Sequence, residues 1–190
     1  MKKSAKLIEI KTERLLLRQW KDEDLEAFFD INSNTSVMEF FPNLLDRTES
    51  DVLAKRIQEN ISKNGWGCWV VEIPGISEFI GFVGLNTPTY SLPCSPCVEI
   101  GWRLSDKFWG KGYATEAAKG ALRVGFTQLG LNEIVSFTSV LNHRSIKVME
   151  RLKMKATQEY FDHPKVPQDS PLRKHCVYKL SRSDWELNNN

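Results

Sequence analysis

The sequence predicts one domain of the α+β class, because segments with strand-like and helix-like patterns follow one another along the chain. Its 190 residues fit a single domain, for which roughly 100–200 residues is usual. The chain shows no internal repeat and no linker. We therefore expect one domain over residues 1–190.

The composition excludes several classes of protein. Apolar residues make up 41% and charged residues 26%, as in ordinary globular proteins. The 26 Lys and Arg against 24 Asp and Glu give a net charge of +2, so we expect neither nucleic acid nor membrane as a partner. No signal-peptide pattern follows Met1, and no apolar run approaches the roughly 20 residues of a spanning helix. We expect a cytoplasmic protein.

The first part of the chain predicts a strand followed by two helices. Leu7–Arg18 begins with the alternation of a strand. Asp22–Asn32 has acidic residues in its first turn, which suits the start of a helix. Arg47–Asn60 repeats apolar residues at helical spacing, with Thr48–Asp51 as the expected capping region.

The middle of the chain predicts a hairpin and a further strand. Trp66–Ile73 and Phe79–Leu85 are rich in strand-forming residues and are joined by a short turn containing Pro and Gly. Pro88–Pro96 has too many prolines for a central strand and is expected to be a loop. Val98–Leu104 is the next predicted strand.

The last part of the chain predicts a helix, a strand, a helix and one final strand. Thr115–Leu129 and His143–Leu152 have apolar residues at helical spacing. Glu133–Val140 is rich in β-branched residues and is expected to be a strand between them. The remainder is expected to hold a loop with several prolines and one strand, Cys176–Leu180, before a frayed tail at 186–190.

Neither the cysteines nor the histidines predict a metal site. Cys94 and Cys97 form a CxxC pair, but no second pair or suitably spaced histidine accompanies it, and a strand follows where a redox pair would need a helix. We interpret them as ordinary free thiols. His143, His163 and His175 are scattered and make a poor ligand set.

A glycine-rich segment, Trp109–Ala114, lies between a predicted strand and a predicted helix. The first turn of a helix exposes unpaired N–H groups and a partial positive charge, which suit an anion. Gly110 and Gly112 would let a phosphate approach the backbone, and Lys111 adds a cation. Two glycines before a helix fit a plain structural turn equally well, so this pattern alone leaves both interpretations open.

Several segments together resemble the GNAT acetyltransferases, and within them the ribosomal-protein-acetyltransferase-like (RimJ/RimL-type) branch. The resemblance extends over about Thr12–Trp185, nearly the whole chain. The segments that carry it are Glu99–Trp102, Trp109–Ala117, Asn142–Leu152, Thr12–Arg18, Phe161–Pro164 and Pro171–His175.

This resemblance implies a mixed, mostly antiparallel sheet, splayed in the middle, that is flanked by helices and holds acetyl-coenzyme A in the split. The glycine-rich turn of the family binds the pyrophosphate through backbone N–H groups, and the preceding strand pairs with the pantetheine arm. The coenzyme-binding candidates that follow from it are Gly101, Trp102, Arg103, Leu104, Trp109, Gly110, Lys111, Gly112, Tyr113, Ala114, Thr115 and Asn142.

The resemblance also suggests residues for the proton transfers. Glu99 is the candidate base, acting through water, although a solvent-facing or structural acid would fit that strand position as well. Ser145 is the candidate donor to the leaving thiolate, unless it only caps a helix. Met149 stands where many members have the acidic Tyr, and Asn142 is expected to fix the coenzyme or the helix.

The sequence therefore predicts an acetyl-coenzyme A-dependent N-acetyltransferase that acts on a primary amine, either a protein N-terminus or a small molecule. A coenzyme-binding module without catalysis is the main alternative, and a phosphate-loop nucleotide binder is a weaker one. A homodimer is left open. Five aromatic residues could line the acceptor pocket or pack in the core, namely Trp20, Phe40, Phe41, Trp66 and Trp69.

Overall fold

A sheet of eight strands runs through the protein, and a computed structural model describes it over residues 6–188. The strand order is β1-β2-β3-β4-β5-β6-β8-β7, and every neighbouring pair is antiparallel except β5 and β6. The strands are β1 Ile10–Lys11, β2 Leu16–Arg18, β3 Cys68–Ile73, β4 Ser77–Asn86, β5 Glu99–Leu104, β6 Glu133–Ser139, β7 Lys155–Asp162 and β8 Lys174–Ser181. The helices are α1 Asp24–Asn32, α2 Arg47–Asn64, α3 Tyr113–Thr127, α4 His143–Arg151 and α5 Arg182–Leu187.

The helices cover both faces of the sheet. On one face, α3 and α4 pack over the larger core, whose fully buried residues include Leu85, Leu122 and Met149. On the other face, α1 and α2 enclose a smaller cluster built around Phe28 and Ala54. This two-sided covering confirms the predicted single mixed domain with a mostly antiparallel sheet flanked by helices.

The first predicted strand is wrong in one respect, since Leu7–Arg18 forms two short strands rather than one. A turn interrupts the segment, in which the N–H of Thr12 donates to the carbonyl of Leu15 at 2.9 Å. The Thr12 hydroxyl accepts from the Leu15 N–H at 3.1 Å and holds the turn closed. Side-chain bonding of this kind competes with the strand ladder and divides the segment.

The predicted cap of α2 is also displaced. Asp46 is the N-cap: its carboxylate accepts from the Glu49 N–H, and the Glu49 side chain accepts from the Asp46 N–H. This capping box starts the helix before Thr48–Asp51, and the left-handed Gly65 ends it after Asn64.

Two elements near the C-terminus were not predicted. Strand β7 lies at the outer edge of the sheet and is mostly exposed, so its polar sequence shows no buried alternation. Helix α5 begins at the N-cap Ser181 and packs Trp185 against Phe126, with ring centroids 5.3 Å apart. Of the tail expected to be frayed, residues 186 and 187 therefore end a helix, and residues 189 and 190 lie outside the described part.

The sheet opens between its two parallel strands. β5 and β6 are paired only at Glu99 and Val135, and the Val135 N–H donates to the Val98 carbonyl at 3.0 Å. One side-chain bond follows, from the Ser136 hydroxyl to the Ile100 carbonyl at 3.0 Å. The later residues of β5 have no strand partner on this side within the described chain. The splayed sheet that the family resemblance implied is thus present.

Among the helices of residues 6–188, none has the length and apolar character needed to cross a lipid bilayer.

Candidate active site

The open side of β5 presents main-chain hydrogen-bonding groups. In a strand, the N–H and C=O of one residue point to the same side, and those of the next residue point to the opposite side. The carbonyls of Val98 and Ile100 face β6, whereas Ser105 donates to the Ile80 carbonyl on the β4 side. By this alternation Trp102 and Leu104 direct their main-chain groups into the split. Gly101 and Arg103, the other two strand candidates, direct theirs to β4.

The glycine-rich turn brings the N-terminus of α3 to the end of β5. Gly110 and Gly112 have left-handed backbone angles, with φ of 75° and 81°, and both are exposed. Gly112 is the N-cap of α3 and no side chain caps the helix there, so the first N–H groups of the helix face outward. A Cβ on Gly110 would meet nothing within 4 Å. The turn therefore has the open backbone that an anion needs.

Arg14 lies beside this turn, a position that the sequence did not reveal. Its guanidinium pairs with Glu116 at 2.6 Å and donates to the Lys111 carbonyl at 3.1 Å. It also lies 4.7 Å from the centre of the Tyr113 ring. Arg14 thus ties the N-terminal segment to the turn. Its place in the family-like segment Thr12–Arg18 was the available signal, but no role was assigned to it.

Two of the turn candidates direct their side chains away from the helix N-terminus. The Trp109 indole donates to the Leu104 carbonyl at 2.8 Å, and the Arg144 guanidinium lies 4.6 Å from its ring centre. The Lys111 ammonium donates back to the Lys107 carbonyl at 3.3 Å. Trp109 therefore closes the end of the split, and its indole N–H occupies the Leu104 carbonyl, which faces the opening.

Glu99 lies at the closed end of the split, on the face of the sheet that α1 and α2 cover. The Asn86 amide donates to its carboxylate at 2.7 Å. Burial raises the pKa of the Glu99 carboxyl, while the Asn86 hydrogen bond and the nearby Lys165 cation act in the opposite direction. A half-buried carboxyl with a raised pKa is a suitable proton acceptor near neutral pH.

Asn142 and Ser145 form one unit at the start of α4. Asn142 is the N-cap, and its side-chain oxygen accepts from the Ser145 N–H at 3.1 Å. Its amide also donates to the Ser145 hydroxyl at 3.1 Å and to the Thr138 hydroxyl at 3.0 Å. The Ser145 oxygen is thus held as an acceptor, and within residues 6–188 its own hydrogen has no acceptor. Asn142 therefore fixes the start of α4 and the Ser145 hydroxyl, and fixing the helix was one of the two roles expected for it.

Met149 is fully buried in the larger core, so its side chain does not reach the split. The family position of the usual acid therefore serves packing in this chain.

Two of the cysteines and two of the histidines lie in two small clusters. All four cysteines are free, and the Cys94 and Cys97 sulfurs are 3.3 Å apart. The His163 and His175 rings stack at 4.8 Å, and His163 contacts the Tyr90 hydroxyl at 3.1 Å. In the described part of the chain, no group of three or more His, Cys, Asp or Glu side chains is arranged to hold a metal ion.

Most of the aromatic residues considered for an acceptor pocket belong to the core. Trp69 is fully buried, Trp66 packs against the larger core, and Trp20 contacts the ring of Phe28 at 4.9 Å. Phe41 differs, because it is 37% exposed and lies over a guanidinium of β5.

Comparison with known proteins relates this geometry to one family. The model of the acetyltransferase (GNAT) domain matches residues 14–155. The uncharacterized N-acetyltransferase YnaD of Bacillus subtilis is 27% identical over 93% of this chain and 98% of its own length. FsC-acetyl coenzyme A-N(2)-transacetylase of Aspergillus fumigatus is 34% identical over 64% of this chain, which spans only 52% of that relative.

A solved structure resembles the whole fold. The GNAT-family acetyltransferase from Bacillus anthracis superposes with a TM-score of 0.76 and 25% sequence identity. The superposition covers 93% of this chain and 99% of the other.

Proposed function

Since the chain belongs to the GNAT acetyltransferase family and is an N-acetyltransferase, we propose that it transfers the acetyl group of acetyl-coenzyme A to a primary amine by direct attack on the thioester. GNAT enzymes use acetyl-coenzyme A as cosubstrate. The Aspergillus relative is named for acetyl coenzyme A as donor and an N(2) atom as acceptor, which supports amine acylation here.

One observation carries the proposal: an open main-chain edge in the middle of the sheet leads into a glycine-rich helix N-terminus. A pantetheine arm contains amides and can pair with a strand edge, which the main-chain groups of Trp102 and the N–H of Leu104 offer. A pyrophosphate requires several N–H donors, which the turn from Gly110 to the start of α3 offers. The β5 edge and the glycine-rich turn are adjacent, as the pantetheine arm and the pyrophosphate are in the coenzyme.

The residues of the split suggest a route for the protons. An amine with a pKa of roughly 8–10 must lose a proton before it attacks, and Glu99 would take that proton through water. The amine nitrogen then bonds to the thioester carbon, the carbon–sulfur bond breaks, and the leaving thiolate requires a proton. Ser145 has a positioned hydroxyl whose hydrogen is uncommitted within residues 6–188. It would donate that hydrogen to the thiolate and regain one from the proton that the acylated nitrogen releases, so that the serine is left neutral.

In this proposal the acceptor is a free primary amine, which belongs either to a protein N-terminus or to a small molecule. We place the chain in the RimJ/RimL-type branch on the resemblance of Thr12–Arg18 and the segments after Phe161.

Release of the coenzyme thiol from acetyl-coenzyme A tests the proposal directly. The acceptors are peptides with varied N-termini, polyamines and aminoglycosides, each compared with its N-acetylated form. We expect thiol release that depends on a free amine and is absent with the blocked form. Tight coenzyme binding without turnover on any amine would instead support the non-catalytic module.

A further inference from the structure

Arg103 is a half-buried cation that lacks an anionic partner. Its guanidinium donates from Nη1 to the Asn32 side-chain oxygen and lies 4.1 Å from the centre of the Phe41 ring. Its Nε is buried and has no hydrogen-bond partner, and within residues 6–188 no carboxylate forms an ion pair with it. Burial lowers the pKa of Arg103 to about 10, as expected for a desolvated cation without a counter-ion.

Another arginine shows what Arg103 is missing. Arg18 is more deeply buried than Arg103, yet Asp24 accepts two of its hydrogen bonds at 2.8 Å and Glu72 accepts another at 2.6 Å. A buried charge is ordinarily compensated in this way. The absence of an anionic partner for Arg103 is therefore unusual within this protein, and a buried Nε without an acceptor is destabilising.

Arg103 shares a face of β5 with the candidate base. Alternate residues of a strand point to the same side, so Glu99, Gly101 and Arg103 form one row. The space above the middle residue is open, because a Cβ on Gly101 would meet nothing within 4 Å. Across the β4–β5 ladder the opposite holds for Gly84, where a Cβ would lie 2.0 Å from the Gly67 carbonyl oxygen.

We propose that the amine acceptor also carries a carboxylate, and that Arg103 binds this carboxylate while the amine lies near Glu99. This inference rests on the proposed function, because it assigns the substrate class of the same site. The Nε and Nη2 atoms form one edge of the guanidinium, and that edge matches the two oxygens of a carboxylate. The Nε is shielded in this conformation, so a carboxylate at this edge first meets the Nη2, for which residues 6–188 provide no hydrogen-bond partner.

The row also sets the size of the acceptor. Arg103 lies four positions after Glu99 in the strand, which places their Cα atoms roughly 13 Å apart. Side chains stand roughly perpendicular to a sheet, so we take the two head groups to lie at a similar spacing, for which a free α-amino acid is too short. An extended peptide of about three residues spans roughly 10 Å, and the water between its amine and Glu99 adds roughly 3 Å. A short peptide with a free C-terminus or a long ω-amino acid therefore has the required length.

Glycine peptides of two to five residues, with either a free or an amidated C-terminus, test the proposal. We expect kcat/KM for the free-carboxylate peptide to exceed that of its amide by roughly 10- to 100-fold, the range of a hydrogen bond to a charged group. In Arg103→Met that preference should disappear while the KM for acetyl-coenzyme A stays unchanged. The exposed Arg123→Gln on α3 is the matched control and should keep the preference.

Gly101→Leu provides a second variant in case Arg103→Met fails to fold. It leaves the guanidinium in place but fills the open space, so the KM for the peptide should rise without a change in the KM for acetyl-coenzyme A. Equal use of acid and amide peptides by the unmodified protein would overturn the proposal. A raised KM for acetyl-coenzyme A in Arg103→Met would also overturn it, since Arg103 would then serve the coenzyme.

Calorimetric binding of the same peptides separates this inference from the proposed function, because it requires no turnover. Binding that selects the free carboxylate and is lost in Arg103→Met supports the role of Arg103 even if no acetyl transfer occurs. Binding that ignores the C-terminus, or no binding by either peptide, contradicts it.

Discussion

The chemistry assigned to Glu99 depends on how few groups compensate its charge. Burial raises its pKa, and one amide, that of Asn86, donates to it. The carboxylate therefore remains a better proton acceptor than an exposed glutamate would be. Ser145 differs in kind, because Asn142 fixes its position without using its hydrogen. The two side chains thus suit opposite directions of proton transfer.

Glu99→Gln should lower kcat by roughly 100-fold, near the lower end of what a general base contributes. In the unmodified protein the rate should fall as the pH drops through the raised pKa of Glu99, because the protonated carboxyl cannot accept a proton. That part of the pH–rate profile should be missing in the variant, whereas acetyl-coenzyme A binding should persist. Glu150→Gln, on the exposed side of α4, is the control and should retain the profile. An unchanged profile in Glu99→Gln would rule out Glu99 as the base.

At the scale of elements, the unit β5–turn–α3 could be predicted well, because apolar residues alternate along its strand, its turn is rich in glycine and its helix is periodic. The observed bounds of β5 and α3 lie within two residues of the predicted ones. Strand β7 could not be predicted, since an exposed edge strand imposes no alternation on its sequence. The split between β5 and β6 followed from the family resemblance and not from any local pattern, because separation of strands depends on residues far apart in the chain.

Gly112→Trp should weaken acetyl-coenzyme A binding by roughly 100-fold or more, as expected when at least two hydrogen bonds to a charged group are lost. The bulky side chain would cover the N–H groups at the start of α3. Gly75→Trp is a matched control, because Gly75 has a similar left-handed φ of 76° and is equally exposed, but lies in the β3–β4 turn. Both variants carry the same backbone strain of about 1–2 kcal/mol. Titration of coenzyme binding should therefore separate a blocked cradle, seen in Gly112→Trp alone, from general destabilisation, which would affect both.

The whole molecule joins two halves of a sheet that meet at one strand pair, and its stability therefore depends on contacts beside the split. The histidine cluster is one of these, since His163 packs on His175 of β8 and also contacts the hydroxyl of Tyr90, which lies between β4 and β5. The contacts of the histidine rings could not be predicted from the sequence, because the cluster combines residues from separate loops and strands. The same reason hid the unpaired Arg103, whose surroundings come from α1, β4 and the α1–α2 connection.

The protein should lose stability in mild acid partly through His163. Burial, the neighbouring His175 and Lys165 lower the pKa of His163 from 6.5 to about 4. Between these values the unfolded chain binds a proton that the folded chain does not, so the free energy of unfolding falls as the pH drops. His163→Gln should reduce the fall in Tm across this window. His143→Gln, exposed at the start of α4, should leave the fall intact, and an identical decline in all three proteins would contradict the assignment.

Gly84 and Gly101 face each other across β4 and β5 and differ in how far evolution can change them. At Gly84 any side chain would collide with the backbone, so variants there are removed with the fold itself. At Gly101 the fold tolerates a side chain, and only the space above the sheet changes. If the acceptor binds above Gly101 as proposed, a single substitution there would change the range of acceptors with little loss of stability.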